Sequence, residues 1–212
     1  MTIDRVVKMP VREDFPPIRP GGSLIVAWQV KGKNVLVVGG GNVAAGRIVN
    51  VLDANAIVTL ICPRKGLLPE VAYRVDTNQV AHYRDKEFDP SDLDGMDVCL
   101  IAIDSPEAST RIWKLCKERK IPVNVADVPH ECDFYFGSQH RDGPLQVMIS
   151  TNGSAPKLAN LIRLKIAECL PANAGRACEN VGKLRRKLRI IAPGPTQVSK
   201  RMKWYGWVLY IV

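Results

Sequence analysis

The sequence predicts an α/β protein built on a doubly wound parallel sheet, followed by a small α+β module. Two observations lead to this fold class. Short, continuous apolar segments alternate with helical patterns between residues 34 and 126, as is typical of parallel strands buried on both faces. A glycine-rich loop follows the first of these segments and opens the first predicted helix.

Five short apolar runs are predicted to be the strands of the sheet. They cover residues 34–38, 56–62, 80–83, 97–103 and 121–126. The spacing of apolar residues predicts a helix over 42–52, and Ser105-Pro106 begins another that ends near Arg119. Strands and helices that alternate in this way form a parallel sheet with helices on both faces.

The chain changes character after Asp127. The predicted elements are strands over 134–137 and 145–150, a turn at 141–144, and helices from 154 to about 170 and over 174–191. Two strands and two helices are too few to close a core of their own. We therefore expect this part of the chain to be a packing or dimerisation module.

Four segments are expected along the chain. They are a flexible, proline-rich arm over 1–20, a dinucleotide-binding domain over 21–130, a dimerisation and substrate-cleft module over 131–172, and a basic helical C-terminal segment over 173–212. The apolar residues 205–212 are expected to pack as a short strand or to stay exposed.

Positive charge is concentrated at the C-terminal end. The 212 residues carry a formal net charge of +9, but residues 1–150 hold 18 Lys and Arg against 19 Asp and Glu. Residues 151–212 hold 12 against 2. Such a segment attracts anions, whether nucleic acid, an acidic membrane or a polyanionic small molecule.

No apolar run approaches the ~20 residues of a membrane helix, and the N-terminus has no apolar signal core. A soluble, cytoplasmic protein is therefore expected. The six cysteines form no CxxC pair and have no His at ligand spacing, so neither a zinc module nor a disulfide framework is predicted. Cys62 and Cys99 lie in apolar runs and are expected to be buried thiols.

The loop Gly39-Gly40-Gly41 fits the pattern G-x-G-x-x-A, which ends at Ala44. The first glycine of this pattern permits a tight turn, and the second lets the backbone approach a pyrophosphate at the helix N-terminus. The small third residue lets the helix pack closely on the strand. In its strand–loop–helix context, the pattern favours a Rossmann-like dinucleotide-binding domain over a turn that binds nothing.

The end of the second predicted strand departs from this fingerprint. An Asp or Glu that binds the ribose hydroxyls normally stands about 20 residues after the glycine loop. This sequence has Cys62-Pro63-Arg64-Lys65 there instead. Because an arginine at this point can accommodate a 2′-phosphate, the residues alone leave NAD and NADP open.

Three segments together resemble the siroheme synthase family, and in particular its fungal bifunctional precorrin-2 dehydrogenase/sirohydrochlorin ferrochelatases. They are GGSLIVAWQVKGKNVLVVGGGNVAAGR (21–47), NVADVPHECDFYFG (124–137) and ISTNGSAPKLANLIR (149–163). The resemblance implies two reactions. Precorrin-2 is oxidised to sirohydrochlorin with NAD, and ferrous iron, a substrate, is then inserted to give siroheme. The resemblance also implies a homodimer, and it implies that the apolar end, residues 205–212, is truncated.

The resemblance identifies Asp127, in the NVAD segment, with the residue implicated in both steps. It follows the fifth predicted strand, at the edge where open α/β sheets bind ligands. A carboxylate there can accept the proton released as hydride leaves, and later a pyrrole proton as iron enters. Nucleotide-contact positions of the family, which favours NAD, match Asn42, Val43, Pro63 and Arg64.

Asp104 follows the fourth predicted strand, near the expected nicotinamide, although a helix cap is an equal alternative. Ser150, Thr151 and Asn152 match a stretch that lines the tetrapyrrole cleft in the family. A polar strand–helix connection is the open alternative for these three residues.

The substrate implied by the resemblance is a polycarboxylate, which suits the basic C-terminal segment. The candidate cations are Lys157, Arg163 and Lys165. The tetrapyrrole supplies its own ring nitrogens to iron, so no metal site on the protein is expected. His130 and His140 could deliver iron or move a proton, but an ordinary surface or hydrogen-bonding role is favoured for both.

Two other functions stay open at this point. One is a dehydrogenase without chelatase activity. The other is a non-catalytic nucleotide-binding protein whose basic tail binds nucleic acid. Residues 151–212 carry no recognised nucleic-acid motif, so the expected partners are precorrin-2 and sirohydrochlorin, with neither nucleic acid nor a membrane.

Overall fold

The computed structural model describes residues 18–210, which fall into two compact units. The first unit ends at Ala126 and the second begins at Asp127. Residues 1–17 of the predicted arm lie outside the described residues.

The first unit contains a sheet of five parallel strands in the order β3-β2-β1-β4-β5. The strands are β1 (Asn34–Val38), β2 (Ile57–Ile61), β3 (His82–Arg84), β4 (Val98–Ile101) and β5 (Val123–Val125). The connecting helices are α1 (Asn42–Asp53), α2 (Pro69–Asp76) and α3 (Pro106–Glu118). This order is that of a doubly wound dinucleotide-binding sheet, so the predicted fold class is confirmed.

The core of the first unit is the apolar sheet itself. Val35, Leu36 and Val37 of β1 are fully buried, because β1 is the central strand and pairs with β2 on one side and β4 on the other. Ile48 of α1 is equally buried. The continuous apolar runs therefore predicted the sheet correctly. The glycine loop directly follows β1, so it lies at the carboxyl edge of the sheet.

Two details of the first unit differ from the sequence prediction. Helix α2 was not predicted, because it has only eight residues and its polar face carries the Arg74–Glu70 ion pair. The third strand lies at His82–Arg84 rather than at 80–83. Its register with β2 starts at the pair Thr59–His82, so Val80 is buried before the strand begins.

The second unit contains an antiparallel hairpin and three α-helices within the described residues. The hairpin strands are β6 (Ser138–Asp142) and β7 (Leu145–Ile149), and the helices are α4 (Pro156–Cys169), α5 (Ala174–Ile191) and α6 (Val198–Tyr210). Helix α4 packs against both strands. The predicted helices that correspond to α4 and α5 are confirmed.

The predicted strand over 134–137 is wrong. A two-residue turn, Gly143-Pro144, pairs Asp142 directly with Leu145. Glycine has a φ of +54° there, as the first position of a tight hairpin turn requires. This register pairs β7 with residues 138–142, and the aromatic run before them forms no strand.

The short strand suggested for residues 205–212 is also wrong as far as the described chain extends, because α6 is helical to Tyr210. Residues 211 and 212 lie outside the described residues. Between residues 18 and 210, no helix is both long and apolar enough to cross a bilayer.

The cysteines are all free. Cys62 and Cys99 are buried, as predicted, and Cys116 is buried with them. A hydrogen bond with Cys116, together with burial, raises the pKa of the Cys99 thiol well above its ordinary value. These buried thiols are therefore apolar core residues rather than reactive groups.

A buried carboxylate holds the segment after β3 in place. The side chain of Asp92 is fully buried and forms ion pairs with Arg84 and with Lys86, the latter at 2.8 Å. Its Oδ2 also accepts a hydrogen bond of 2.8 Å from the backbone N–H of Asp89. Burial alone would raise the pKa of Asp92, but the hydrogen bonds from Lys86, Asp89 and Arg84 outweigh it and lower the pKa.

We expect Asp92→Asn to lower the free energy of unfolding by about 3 kcal/mol, because it leaves two cations without their buried partner. The lowered pKa means that this stabilisation is complete above the unfolded-state pKa and is lost as the pH falls through the folded-state value. The difference in stability between the two proteins should therefore begin to shrink at about pH 4, the unfolded-state value, and should close only below the lower folded-state pKa. Urea unfolding at several pH values measures both effects.

The matched control is Asp94→Asn. Asp94 pairs with Arg119 at 2.6 Å, but its side chain is 71% exposed. Its removal should cost less than about 1 kcal/mol. Equal losses in the free energy of unfolding for the two variants would contradict the argument that burial makes the ion pairs of Asp92 more stabilising than that of Asp94.

Candidate active site

The first glycine of the loop is required by geometry. Gly39 has a φ of +112°, and its N–H donates a hydrogen bond of 2.9 Å to Ile61. A Cβ atom at Gly39 would lie 2.0 Å from the backbone oxygen of Ala102. The loop therefore leaves β1 in direct contact with the segment that follows β4.

Gly40 holds the loop against the turn that follows β2. A Cβ atom at this position would lie 2.7 Å from Leu67 and 2.9 Å from the backbone oxygen of Gly66. The N–H of Leu68 donates a hydrogen bond of 2.9 Å to the Gly40 oxygen. The pattern leaves this position unspecified, but the packing here requires glycine.

Gly41 opens the loop to a ligand. It is the N-cap residue of α1, no side chain caps the helix, and the first turn contains no acidic residue. A Cβ atom at Gly41 would meet nothing within 4 Å. The next residues, Asn42 and Val43, are exposed, and Ala44 is buried against the sheet. An uncapped helix N-terminus with open space in front of it is suited to a pyrophosphate.

The turn after β2 begins at Pro63 and contains a single 3-10 turn, Arg64–Gly66. The Nη2 atom of Arg64 lies 2.8 and 2.9 Å from the two carboxylate oxygens of Asp76. The backbone N–H of Arg64 donates a hydrogen bond of 2.7 Å to Asp85. The hydrogen bond that the Arg64 guanidinium donates to Asp76 raises the pKa of Arg64, so the guanidinium stays charged.

Asp76 and Asp85 were missed in the sequence because they belong to other elements. Asp76 is the last residue of α2, and Asp85 directly follows β3. The position of Asp85 after the third strand could have indicated that it lies near the end of the second strand, because parallel strands end at the same edge of a sheet.

Asp104 is exposed at the same edge. The interpretation of Asp104 as a helix cap is wrong: the cap of α3 is Ser105, whose Oγ accepts a hydrogen bond of 3.2 Å from Ala108. Within residues 18–210, Asp104 makes no hydrogen bond. It follows Ala102 and Ile103, the residues nearest to Gly39, so its position suits the nicotinamide half of a dinucleotide.

Arg47 is a further residue that the sequence reasoning did not single out. From α1, its Nη1 atom donates to the backbone oxygen of Ile101 at 2.8 Å and lies 3.4 Å from that of Asn124. The N–H of Ala126 donates to the same Ile101 oxygen at 2.9 Å. Arg47 thus fixes the carboxyl ends of β4 and β5 just before Asp127.

Asp127 is the first residue of the second unit and stands two residues after β5. It is exposed and has a φ of +58°, in the left-handed region. Aspartate tolerates this conformation better than most residues, because its short polar side chain can hydrogen-bond locally. The conformation turns the chain sharply at the end of the sheet.

The connection between β7 and α4 contains the three predicted substrate residues. The Oγ atoms of Ser150 and Thr151 accept hydrogen bonds of 3.1 Å from the N–H groups of Asn152 and Ala155. Asn152 has a φ of +52°. Each hydroxyl still has its proton to donate, so these turn-forming bonds are compatible with an anionic ligand.

The predicted cations of α4 differ in their surroundings. The Arg163 guanidinium donates to the side-chain oxygen of Asn160 at 2.8 and 3.1 Å, whereas Lys157 and Lys165 are exposed. His130 is exposed and His140 is half-buried on β6. Among residues 18–210, no three His, Cys, Asp or Glu side chains are grouped to hold a metal ion.

The strand order, the required glycine at position 39 and the open helix N-terminus define a dinucleotide-binding protein of the Rossmann class. Family comparisons agree. A family model for NAD(P)-binding matches residues 26–138. Models for the central and C-terminal parts of sirohaem biosynthesis proteins match residues 142–168 and 171–208.

The relatives identify the family. A siroheme biosynthesis protein of Schizosaccharomyces pombe is 54% identical over 191 residues, which cover 90% of this chain and 72% of the relative. A siroheme biosynthesis protein of Saccharomyces cerevisiae is 33% identical, with coverages of 86% and 80%. The chain belongs to the family of siroheme biosynthesis proteins and siroheme synthases.

A solved structure shares the fold. SirC, a precorrin-2 dehydrogenase, superposes with a TM-score of 0.70 at 21% sequence identity. The match covers 88% of this chain and 89% of that one. A match over 88% of the chain extends beyond the first unit into the second.

Proposed function

We propose that the protein oxidises precorrin-2 to sirohydrochlorin with NAD and then inserts ferrous iron to give siroheme. The observation that carries this proposal is the glycine loop, open in front of Gly41, in a chain that belongs to the siroheme biosynthesis family. The names of the relatives and of the solved structure support the pathway and the first reaction.

The residues of the first unit fit a nicotinamide dinucleotide. Gly41 leaves space for the pyrophosphate, and Asn42 and Val43 are exposed beside it. Pro63 and Arg64 would flank the adenosine, and Asp104 would face the nicotinamide. NAD, when bound, accepts the hydride that leaves the macrocycle.

Asp127 is proposed as the proton acceptor of both reactions. Loss of a hydride from precorrin-2 is accompanied by loss of a proton, and iron insertion displaces protons from pyrrole nitrogens. An exposed carboxylate can accept a proton at either stage. Its position directly after β5 is the kind of position at which open α/β sheets bind ligands.

The second unit is proposed to bind the carboxylates of the tetrapyrrole. The proposed hydrogen-bond donors to these carboxylates are the hydroxyls of Ser150 and Thr151 and the amide of Asn152. The proposed cations are Lys157, Arg163 and Lys165. The positive surplus of residues 151–212 supports this assignment. Residues 131–172 are proposed to form a cleft and dimerisation module, and the basic segment that begins at residue 173 is proposed to follow it as helices.

A homodimer is part of the proposal. On α4, Leu158 and Leu161 are 52% and 50% exposed, and Leu164 is 42% exposed. The opposite face of the helix packs against the hairpin through the buried Ala159. Three exposed leucines on one side of a helix support association between copies of the chain.

The test is the formation of NADH from NAD, followed by its near-ultraviolet absorbance, with precorrin-2 generated in the same mixture. We expect NAD-dependent turnover, and siroheme formation after sirohydrochlorin and ferrous iron are supplied. Turnover without iron insertion would identify a dehydrogenase alone. A folded protein that binds NAD but never reduces it would refute the proposed oxidation.

A further inference from the structure

The turn after β2 has no acidic residue of its own, yet two carboxylates from other elements lie on it. Asp85, which directly follows β3, accepts the Arg64 backbone N–H at 2.7 Å. Asp76, at the end of α2, holds the Arg64 guanidinium through both carboxylate oxygens. The second strand is not followed by an acidic residue of its own, but carboxylates from two other elements lie beside its end.

This turn is part of the dinucleotide site, because it packs on the glycine loop. Leu67 and the oxygen of Gly66 would both lie within 3 Å of a Cβ atom at Gly40. In dinucleotide-binding sheets, the ribose of the adenosine half is recognised at the end of the second strand. Asp85 hydrogen-bonds the backbone of this turn and Asp76 pairs with its arginine, so these two carboxylates are candidates to distinguish a 2′-hydroxyl from a 2′-phosphate.

The charges of the turn cancel. Arg64 and Lys65 carry two formal positive charges, which the formal charges of Asp76 and Asp85 balance. Asp76 forms an ion pair with Arg64, and Asp85 hydrogen-bonds the Arg64 backbone. Arg64 is about half exposed, but Asp76 already engages its Nη2 atom. Oδ2 of Asp85 accepts no hydrogen bond from any residue between 18 and 210, so it can accept one from a ribose hydroxyl.

We propose that Asp85 replaces the missing ribose-binding acid and that Asp76 neutralises Arg64, so that the pair selects NAD over NADP. A 2′-phosphate would bring up to two further negative charges against Asp85, and Asp76 already neutralises the charge of the arginine that could bind it. This inference rests on the proposed function, in which the cofactor is NAD.

Calorimetric titration of the full chain with NAD and with NADP tests the inference without any turnover. We expect the wild type to bind NAD at least roughly tenfold more tightly than NADP. Asp85→Asn and Asp76→Asn preserve an oxygen acceptor for Arg64 but remove the charge. Each should shift the NAD-to-NADP affinity ratio toward NADP by roughly tenfold.

Two further variants sharpen the test. Asp94→Asn removes the same charge near the start of β4, at the opposite edge of the sheet, and should leave the ratio unchanged. Adding Arg64→Ala to Asp76→Asn should reverse the gain in NADP affinity, because the guanidinium whose charge is no longer neutralised is its source.

The outcomes separate the two proposals. Tight NAD binding with a ratio that neither carboxylate variant changes would overturn the selectivity inference and leave the proposed function standing. A wild type that prefers NADP would overturn the selectivity inference and the choice of NAD as cofactor, but not the proposed oxidation of precorrin-2. A folded wild type that binds neither dinucleotide would overturn both.

Discussion

Asp127→Asn and Asp127→Gly should each lose about 10²–10⁴-fold in NADH formation, because both remove the proposed proton acceptor. Both replacements also tolerate the left-handed backbone, at a φ of +58° in the wild type. The loss would therefore be chemical rather than conformational. Steady-state rates with precorrin-2, together with thermal unfolding of each variant, measure the two contributions separately.

Asp127→Ala adds the conformational effect. Alanine is strained in the left-handed region, so this variant should also be destabilised by about 1 kcal/mol. If only the alanine variant lost activity, Asp127 would be a turn residue and not the base. Iron insertion should fall in parallel with dehydrogenation if one carboxylate serves both reactions.

Gly39→Ala should prevent accumulation of folded protein, with a loss of more than about 3 kcal/mol in unfolding free energy. Its Cβ atom would lie 2.0 Å from a backbone oxygen, and a φ of +112° is one that alanine rarely adopts. Neither strand end can move away without breaking the sheet. Chemical denaturation, or the yield of soluble protein, measures the effect.

Gly41→Ala is the matched variant in the same loop. Gly41 has an ordinary extended conformation, and a Cβ atom there meets nothing within 4 Å. Stability should change by less than about 0.5 kcal/mol. NAD affinity should fall roughly tenfold or more, because the methyl group occupies the space proposed for the pyrophosphate. Unchanged NAD affinity would argue against that placement.

The fold was predictable where hydrophobic burial determines it. Strands β1, β2 and β4 are continuous apolar runs, so they are recognised as buried strands even when their first and last residues are not predicted. Helix α2 and strand β3 are short and partly polar, so their positions depend on tertiary contacts. The second strand of the hairpin and its turn agree with the prediction, but the first strand was misplaced because the turn geometry at Gly143, rather than the aromatic run, sets the register.

The sequence predicted site residues only where they belong to one continuous segment of the chain. The glycine loop has fixed spacing, and the packing at Gly39 agrees with that motif. Asp76 and Asp85 reach Arg64 from separate elements, so no spacing rule relates the three residues. Arg47 was within a recognised motif, but its bond to the end of β4 depends on how α1 packs.

The buried Asp92 has a consequence that extends beyond folding. Its two cationic partners, Arg84 and Lys86, are the immediate neighbours of Asp85 in the chain. The same carboxylate that stabilises the segment therefore preorganises the residue proposed to recognise the ribose. Substitutions at these positions should show epistasis: a change in cofactor preference introduced at Asp85 would depend on which residue stands at 92. A buried residue, Asp92, thus limits which substitutions at this site can shift the cofactor preference toward NADP.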